Sequence, residues 1–383
     1  QLKEQRPDAL LIAGDVFDNG NPSAAAQTAY YEFLADATQS CPGLQIIITA
    51  GNHDSASRIE APRPLLSRHK VEIRGNVHRV WRDGKWINDY DDLIIPVTNA
   101  EGEKIVVIAV PYIRSDVMHN SNYSKGVNDF LRDVTLRARE LHPGCRLLMM
   151  THMYAKGAEI ADKDASEKII IGGQEEVNME GWCGHPDYMT CGHIHKRQPV
   201  WNTDWARYTG SILPMSFAEI DYTHGVDLIE VDALGKFDVK QIVYTPQHKL
   251  RILPEDEKSL SANQLKKLIS KELRDRGADG ELSDSFDYVV LKVMIDKVNN
   301  DLTKELEALV SSKDAVLCRI QKIMPELKVS AIAGGQSFTS VDDILNRDPL
   351  ETLQEAFAIK HKTDMNERQC AMLKDLINDI KMK

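Results

Sequence analysis

Four times along this chain a short apolar run stops at a cluster of glycine with aspartate, asparagine or histidine. Ala9–Ala13 runs into GDVFD (Gly14–Asp18), and Gln45–Thr49 into GNHD (Gly51–Asp54). Arg146–Thr151 runs into His152, and Tyr188–Cys191 into GHIH (Gly192–His195). Runs this short and this apolar are predicted as strands buried on both faces. Helical patterns separate them. Ser23–Ala37 carries Ala26, Tyr30, Phe33, Leu34 and Ala37 as a stripe, with Ser23 as its N-cap. Asn128–His142 is a second helix, closed by Pro143-Gly144. Strands alternating with helices predict an α/β layered domain. Beyond Asp187 strands become denser (Arg207–Tyr208, Gly225–Val231, Lys240–Thr245), which predicts two sheets packed as a sandwich with helices outside. Ligands in α/β sheets gather at the carboxyl ends of strands, where all four clusters fall.

The clusters supply Asp, Asn and His, a donor set for divalent cations. Asp15 leaves the end of its strand as a carboxylate able to bridge two ions, and Asp18 is expected to orient the loop. Asn52 offers an amide oxygen, which ligates a hard cation without adding charge. His53 offers an imidazole, the side chain suited to passing a proton near neutral pH. Asp54 is expected to hold that imidazole in one tautomer. His152 ends a run too apolar for a surface. His193 and His195 stand two apart, so on an extended strand they share a face and can reach two adjacent ions. Mixed oxygen and imidazole donors suit Mn, Fe or Zn better than Mg or Ca. Arg58, Arg63, Arg68 and Lys70 after GNHD, and Lys196 and Arg197 after GHIH, are basic residues placed to meet phosphates or to form a solvated face. Tyr208–Ser211 could shape a substrate groove, and His69, His78, His119 and His185 read as surface or loop residues.

At 383 residues the chain has material for two or three domains. Its 42% hydrophobic and 27% charged content is that of a globular chain. No apolar run approaches the ~20 residues that span a bilayer, and no secretory leader opens the sequence. Six cysteines without a CxxC spacing argue against a disulfide framework or a thiolate zinc site, and point to reduced thiols in a cytoplasm. Cys183 and Cys191 read as packing residues. A net charge of −11 argues against a protein that coats nucleic acid by bulk charge. It does not exclude a nuclease, whose site is dominated by local carboxylates and cations. Residues 1–6 look like the end of a helix stopped at Pro7, so a preceding strand and most of a helix are expected upstream of Gln1. Residues 1–246 form the first predicted domain. Residues 247–325 read as a smaller α+β domain, 326–348 as a linker with Gly334-Gly335, and 349–383 as two helices, Leu350–Ile359 and Glu367–Ile380.

The phrases PDALLIAGDVFDNGNPS, GNHDSASRIEAP, CGHIHKRQP and YTGSILPMSF, with the order and spacing of the motifs, resemble the calcineurin-like metallophosphoesterases. Closer still, they resemble the SbcD nuclease subunits of bacteria, strongly from Pro7 to about Val243 and by layout beyond. The resemblance implies a two-sheet metallophosphoesterase sandwich with a capping domain and C-terminal helices. It implies a Mn2+-dependent exo- and endonuclease of DNA. Asp15 would bridge two metals; Asn52, His152 and His193 would complete one site; His195 would join the other; His53 would be the proton donor. The family's D-x-H has no counterpart before Gly14, so the metal shared by Asp15 and His195 is expected to bind weakly. The implied partner is an SbcC-type SMC-like ATPase, docked on the last two helices. A homodimer is implied as well, with the Tyr30–Phe33–Leu34 stripe a candidate surface against which core packing competes. Two alternatives stay open: a small-molecule phosphodiesterase on the same fold, and an inactive scaffold subunit.

Overall fold

The computed structural model describes residues 1–117, 122–159, 176–178, 182, 184–256, 259–295, 300–323 and scattered positions between 354 and 374. The predicted linker, nearly all of the two predicted C-terminal helices, His119 and Cys183 lie outside the described residues. The chain divides into two units, Gln1–Ile252 with Glu281–Val289, and Leu253–Gly280 with Val290–Lys383.

In the first unit β1 (Ala9–Ala13), β2 (Gln45–Thr49) and β3 (Val71–Arg74) make a parallel sheet in that order, with Leu11 beside Ile47 and Ile48 beside Ile73. A six-stranded sheet runs β10-β11-β9-β8-β7-β6, from β6 (Ile94–Thr98), β7 (Lys104–Ala109), β8 (Arg146–His152), β9 (Tyr188–Gly192), β10 (Gln198–Pro199) and β11 (Ala206–Tyr208). Strands β7, β8, β9 and β11 are parallel; β6 and β10 run antiparallel at the edges. Two antiparallel hairpins stand outside these sheets: β4 (Arg79–Arg82) with β5 (Lys85–Asn88), and β12 (Gly225–Val231) with β13 (Phe237–Val243).

The period of two in each strand sorts side chains into layers. Ile46 and Ile48 of β2 pack with Tyr30, Leu34 and Ala37 of α2 (Ala24–Ser40), whereas Ile47 joins Leu148 and Met150 of β8 and Val107 of β7 between the sheets. On the far side Leu147 and Met149 of β8 meet Val127, Phe130, Leu131 and Val134 of α6 (Tyr123–Leu141). Each of Ile46, Ile47 and Ile48 is 0% exposed, and burying such a side chain stabilises by ~1.5–3 kcal/mol. Ser23 caps α2 as predicted, its hydroxyl accepting from the Ala26 N–H at 3.1 Å, a bond worth ~1 kcal/mol. Helix α6 starts five residues before the predicted Asn128, because Asn122 caps it by accepting from the Lys125 N–H at 2.8 Å.

Strand β1 departs from expectation. It is only half-buried along its length, although its sequence is wholly apolar. It lies at the edge of its sheet and lines a cleft of about 1860 Å³ shared with β12 and β13. The candidate dimer stripe is also mostly interior: Tyr30 and Leu34 belong to the core under α2, and Phe33 with Tyr31 remains exposed on the helix. The first unit also holds α1 (Leu2–Gln5), α3 (Ala56–Glu60), α4 (Arg63–Leu66), α5 (Tyr90–Leu93) and most of β14 (Leu250–Leu253).

The second unit carries β15 (Leu260–Ser261), α7 (Ala262–Glu272), most of β16 (Asp287–Met294), α8 (Asn300–Ser311) and β17 (Ala315–Ile323). β15 and β17 both pair with β16. Ser261 and Gln264 form a capping box that starts α7, whose Leu265 and Ile269 are buried, as are Leu302, Leu306 and Val310 of α8. No helix among the described residues is long and apolar enough to cross a membrane.

Candidate metal centre

Strands β1, β2, β8 and β9 deliver their clusters to one place. Asp15 Oδ2 lies 3.1 Å from His152 Nε2. Asn52 Oδ1 lies 2.9 Å from the same nitrogen and 3.0 Å from His193 Nδ1. The ligand atoms of Asp15, His152 and His193 all fall within 4.8 Å of one another. Their surroundings are tight. His152 is 2% exposed, and a Cβ on Gly51 would sit 2.1 Å from Asp15 Oδ1. Asp15 and His193 hold φ values of 47° and 93°, a region non-glycine residues rarely enter and which concentrates at functional sites.

Hydrogen bonding shows what these atoms can take. His152 Nδ1 lies 2.8 Å from the Ala13 carbonyl oxygen and donates to it. A neutral ring is then bare at Nε2, where it faces the Asn52 amide oxygen and the Asp15 carboxylate. Lone pairs converging without a proton between them need either an imidazolium or a cation. One carboxylate, one amide oxygen and two imidazoles form a donor set that fits a divalent transition metal. The Ala13 carbonyl then orients the His152 ring from behind, the usual arrangement for a metal-bound imidazole.

Charge in the site follows from this packing. Burial alone would raise the Asp15 carboxyl, but the His152 charge and hydrogen bond and the His53 backbone N–H outweigh it and hold it at about 2. Burial, reinforced by the neighbouring His152, pushes His193 down to about 3. Both groups are therefore in ligand form at neutral pH, a carboxylate and a neutral imidazole.

The other predicted residues have partners that the motifs alone do not show. His53 Nδ1 donates to the Asp18 carbonyl at 2.8 Å, so Asp18, through its backbone, sets that tautomer and leaves Nε2 as the nitrogen free to take up and release a proton. Asp54 instead accepts from the N–H groups of Val16, Phe17 and Gly51 at 2.9–3.1 Å. It ties the two motif loops together, and burial raises its carboxyl despite those bonds. β9 ends at Gly192, and the positive φ of His193 breaks the extended path, so His193 and His195 do not share a strand face. His193 turns to Asn52, and His195 Nδ1 turns to Glu219 Oε1 at 2.9 Å. Arg58 bonds to the Gly20 carbonyl and Asn21 Oδ1. Lys196 pairs with exposed Glu159, and Arg197 with Asp227, whose side chain is nearly buried.

Glu219 is the residue that motif reading misses. It is 0% exposed and accepts from His195, from the Met215 N–H at 3.0 Å and from the Ser211 hydroxyl at 3.4 Å. Its backbone carbonyl meets His224 Nε2 at 3.2 Å, and His224 Nδ1 lies 3.1 Å from Ser211 Oγ. A lone Glu in SFAEI carries no signal; only the fold shows that it backs His195. The Tyr208 hydroxyl donates to the Met153 carbonyl and accepts from Ala155 N–H, both at 2.8 Å, fixing the chain just past His152.

A second group, Glu60, His78 and Asp92, also lies within metal-binding reach. Arg63 and Arg74 already pair with its carboxylates, so charge there is balanced without an ion.

Comparison with known proteins agrees with this geometry. The family model described as calcineurin-like phosphoesterase matches residues 1–197. The chain is 32% identical to the SbcD nuclease subunit of Rhodobacter capsulatus, over 60% of this chain and 58% of that protein. It is 28% identical to the SbcD nuclease subunit of Bacillus subtilis, over 60% of this chain and 57% of that protein. With the SbcD nuclease subunit of Escherichia coli K12 it shares 24% identity over 91% of this chain and 84% of that protein. The matches to the first two thus span less than two thirds of those relatives.

Proposed function

This chain belongs to the calcineurin-like phosphoesterase family, and from that premise we propose that it is a metal-dependent phosphodiesterase whose substrate is DNA, the nuclease subunit of an SbcCD-type complex. The observation that carries the reading is the convergence of Asp15, Asn52, His152 and His193, whose side-chain oxygen and nitrogen atoms face one point. These four would hold one Mn2+. Asp15 and His195 would contribute to a second. Bound ions of this kind activate water and neutralise charge on a phosphodiester.

The remaining residues do the work of orientation and proton transfer. His53, its Nδ1–H held by the Asp18 carbonyl, presents Nε2, which as part of an imidazolium would give its proton to the leaving oxygen. Asp54 and Asp15 join the two loops through backbone N–H groups and so fix His53 against the centre. Lys196 is the readiest phosphate contact, since its partner Glu159 is exposed and such surface pairs are worth only ~0–1 kcal/mol. Arg58 could follow; Arg197 is committed to Asp227. The fold reading is a metallophosphoesterase sandwich followed by a capping domain, 247–325. The SMC-like ATPase would bind through 349–383, a homodimer is expected, and the location is cytoplasmic.

The test incubates the chain with Mn2+ and duplex ends, hairpin DNA and cyclic nucleotides. Mn-dependent DNA cleavage abolished by His152→Ala supports the reading. Hydrolysis of cyclic nucleotides with no attack on DNA would transfer it to the small-molecule phosphodiesterase.

A further inference from the structure

The β4–β5 hairpin takes no part in either sheet or in the metal centre. It turns on Asp83-Gly84, whose positive φ values of 51° and 78° match the two-residue turn that suits the twist of paired strands. Trp81 and Trp86 face each other across it, with ring centroids 5.5 Å apart at 71°. Both are 59% exposed. The other face carries Val80 opposite Ile87, and these are half-buried. Arg79, Arg82 and Lys85 are exposed on the same ten residues, against Asp83 alone, in a chain whose net charge is −11. Arg82 also reaches Asp91 at 3.4 Å, in a surface pair that solvent screens.

A two-stranded hairpin is marginal in water, and an edge-to-face Trp pair helps to hold one closed. That accounts for one aromatic contact. It does not account for leaving more than half of two indoles in solvent on a hairpin that also carries three exposed cations. Exposed aromatic faces interleaved with Arg and Lys are the composition that binds unpaired nucleotides, bases stacking on rings while cations meet phosphates.

The hairpin is also aimed. β1, β2 and β3 are parallel, so the carboxyl end of β3, from which it springs, lies on the sheet edge that carries Asp15 and Asn52. Its base is fastened there. Glu60, the last residue of α3, accepts from Asn76 Nδ2 at 3.0 Å and meets His78 Nε2 at 2.9 Å. The Asp89 N–H closes the base on the His78 carbonyl at 2.8 Å. α3 itself starts two residues after Asp54.

We infer that the Trp81–Trp86 hairpin is a binding site for unpaired nucleotides, stacking bases on its indoles beside the metal-bearing edge of the sheet. This extends the nuclease reading but is tested without cleavage. In EDTA, oligothymidylate and an abasic oligomer of equal length and charge are titrated against the chain, followed by tryptophan fluorescence and anisotropy of labelled oligomer. The oligothymidylate should quench fluorescence and bind at least ~10-fold more tightly than the abasic oligomer. The double variant Trp81→Ala/Trp86→Ala should bind both equally, at the abasic level. Trp81→Phe/Trp86→Phe, which keeps ring faces and the hairpin, should retain most of the preference. Arg82→Ala and Lys85→Ala should flatten the salt dependence for both oligomers. Equal affinity of wild type for the two oligomers overturns the inference, as does loss of preference in the Phe variant. Oligothymidylate binding unchanged by Trp→Ala overturns it as well. A chain that binds as described yet cleaves nothing leaves the hairpin assignment standing and removes the nuclease reading; cleavage of DNA hairpins with no effect of the Trp substitutions does the reverse.

Discussion

Gly51→Ala tests how closely the motif loops must approach. The added Cβ would lie 2.1 Å from Asp15 Oδ1, 2.3 Å from Asp15 N and 2.7 Å from Asp15 Cγ. Because a backbone nitrogen is among these atoms, rotating the Asp15 side chain relieves nothing. The loops after β1 and β2 must separate by about 1 Å, which is overpacking of a kind that costs ~1–3 kcal/mol. For a unit of this size that is a fall in Tm of roughly 3–10 °C. The same movement stretches the 2.9 Å bond from the His53 N–H to Asp15 and carries the carboxylate away from Asn52. Mn2+ affinity, measured calorimetrically, should fall by about 10–100-fold, the scale on which misoriented ligands act. Gly20→Ala is the control: its nearest neighbour would be 3.6 Å away, so stability and Mn2+ binding should hold or improve slightly through the unfolded chain. Matching behaviour of the two variants would refute the close-approach argument.

Glu219→Ala removes the acceptor shared by His195, Met215 and Ser211; denaturation should show a loss of roughly 1–3 kcal/mol, and nitrogen-15 spectra should show His195 losing its fixed Nδ1–H tautomer, whereas an unchanged His195 signal would mean Glu219 does not position it. His53→Ala should keep Mn2+ binding and lose DNA cleavage, because His53 lies outside the metal cluster; lost metal binding would assign it a ligand's role instead. Burial raises the Asp92 carboxyl, but the Arg63 hydrogen bond and the Arg74 and Arg63 charges outweigh it and hold it below the ordinary range. Its stabilisation is thus complete above the unfolded value of ~3.9 and is lost as pH falls through the lower folded value. Asp92→Asn should therefore be less stable than wild type at pH 6 and approach it below pH 3; an equal gap in urea midpoints at both would contradict this sign.

The motif clusters were legible because each rests on local chemistry: an apolar run, a turn-forming glycine and a polar donor adjacent in the chain. Ser23 as a cap was legible for the same reason. What was not legible depended on partners distant in sequence. His195 finds Glu219 24 residues on, and Arg197 finds Asp227 30 residues on. Asp54 is adjacent to His53, which suggested a pair, but three orphan backbone N–H groups claim its carboxylate. The half-exposure of β1 reflects the cleft that it lines, a feature of tertiary packing that no single strand's composition reveals. His78 read as a loop residue, yet it helps fasten a hairpin through Glu60, 18 residues earlier.

Anomalous scattering at the manganese edge, from crystals grown with Mn2+, tests the central claim most directly. The account predicts a peak within bonding distance of Asp15, Asn52 Oδ1, His152 Nε2 and His193. A peak at Glu60, His78 and Asp92 instead, or no peak at the four-residue cluster, would contradict it.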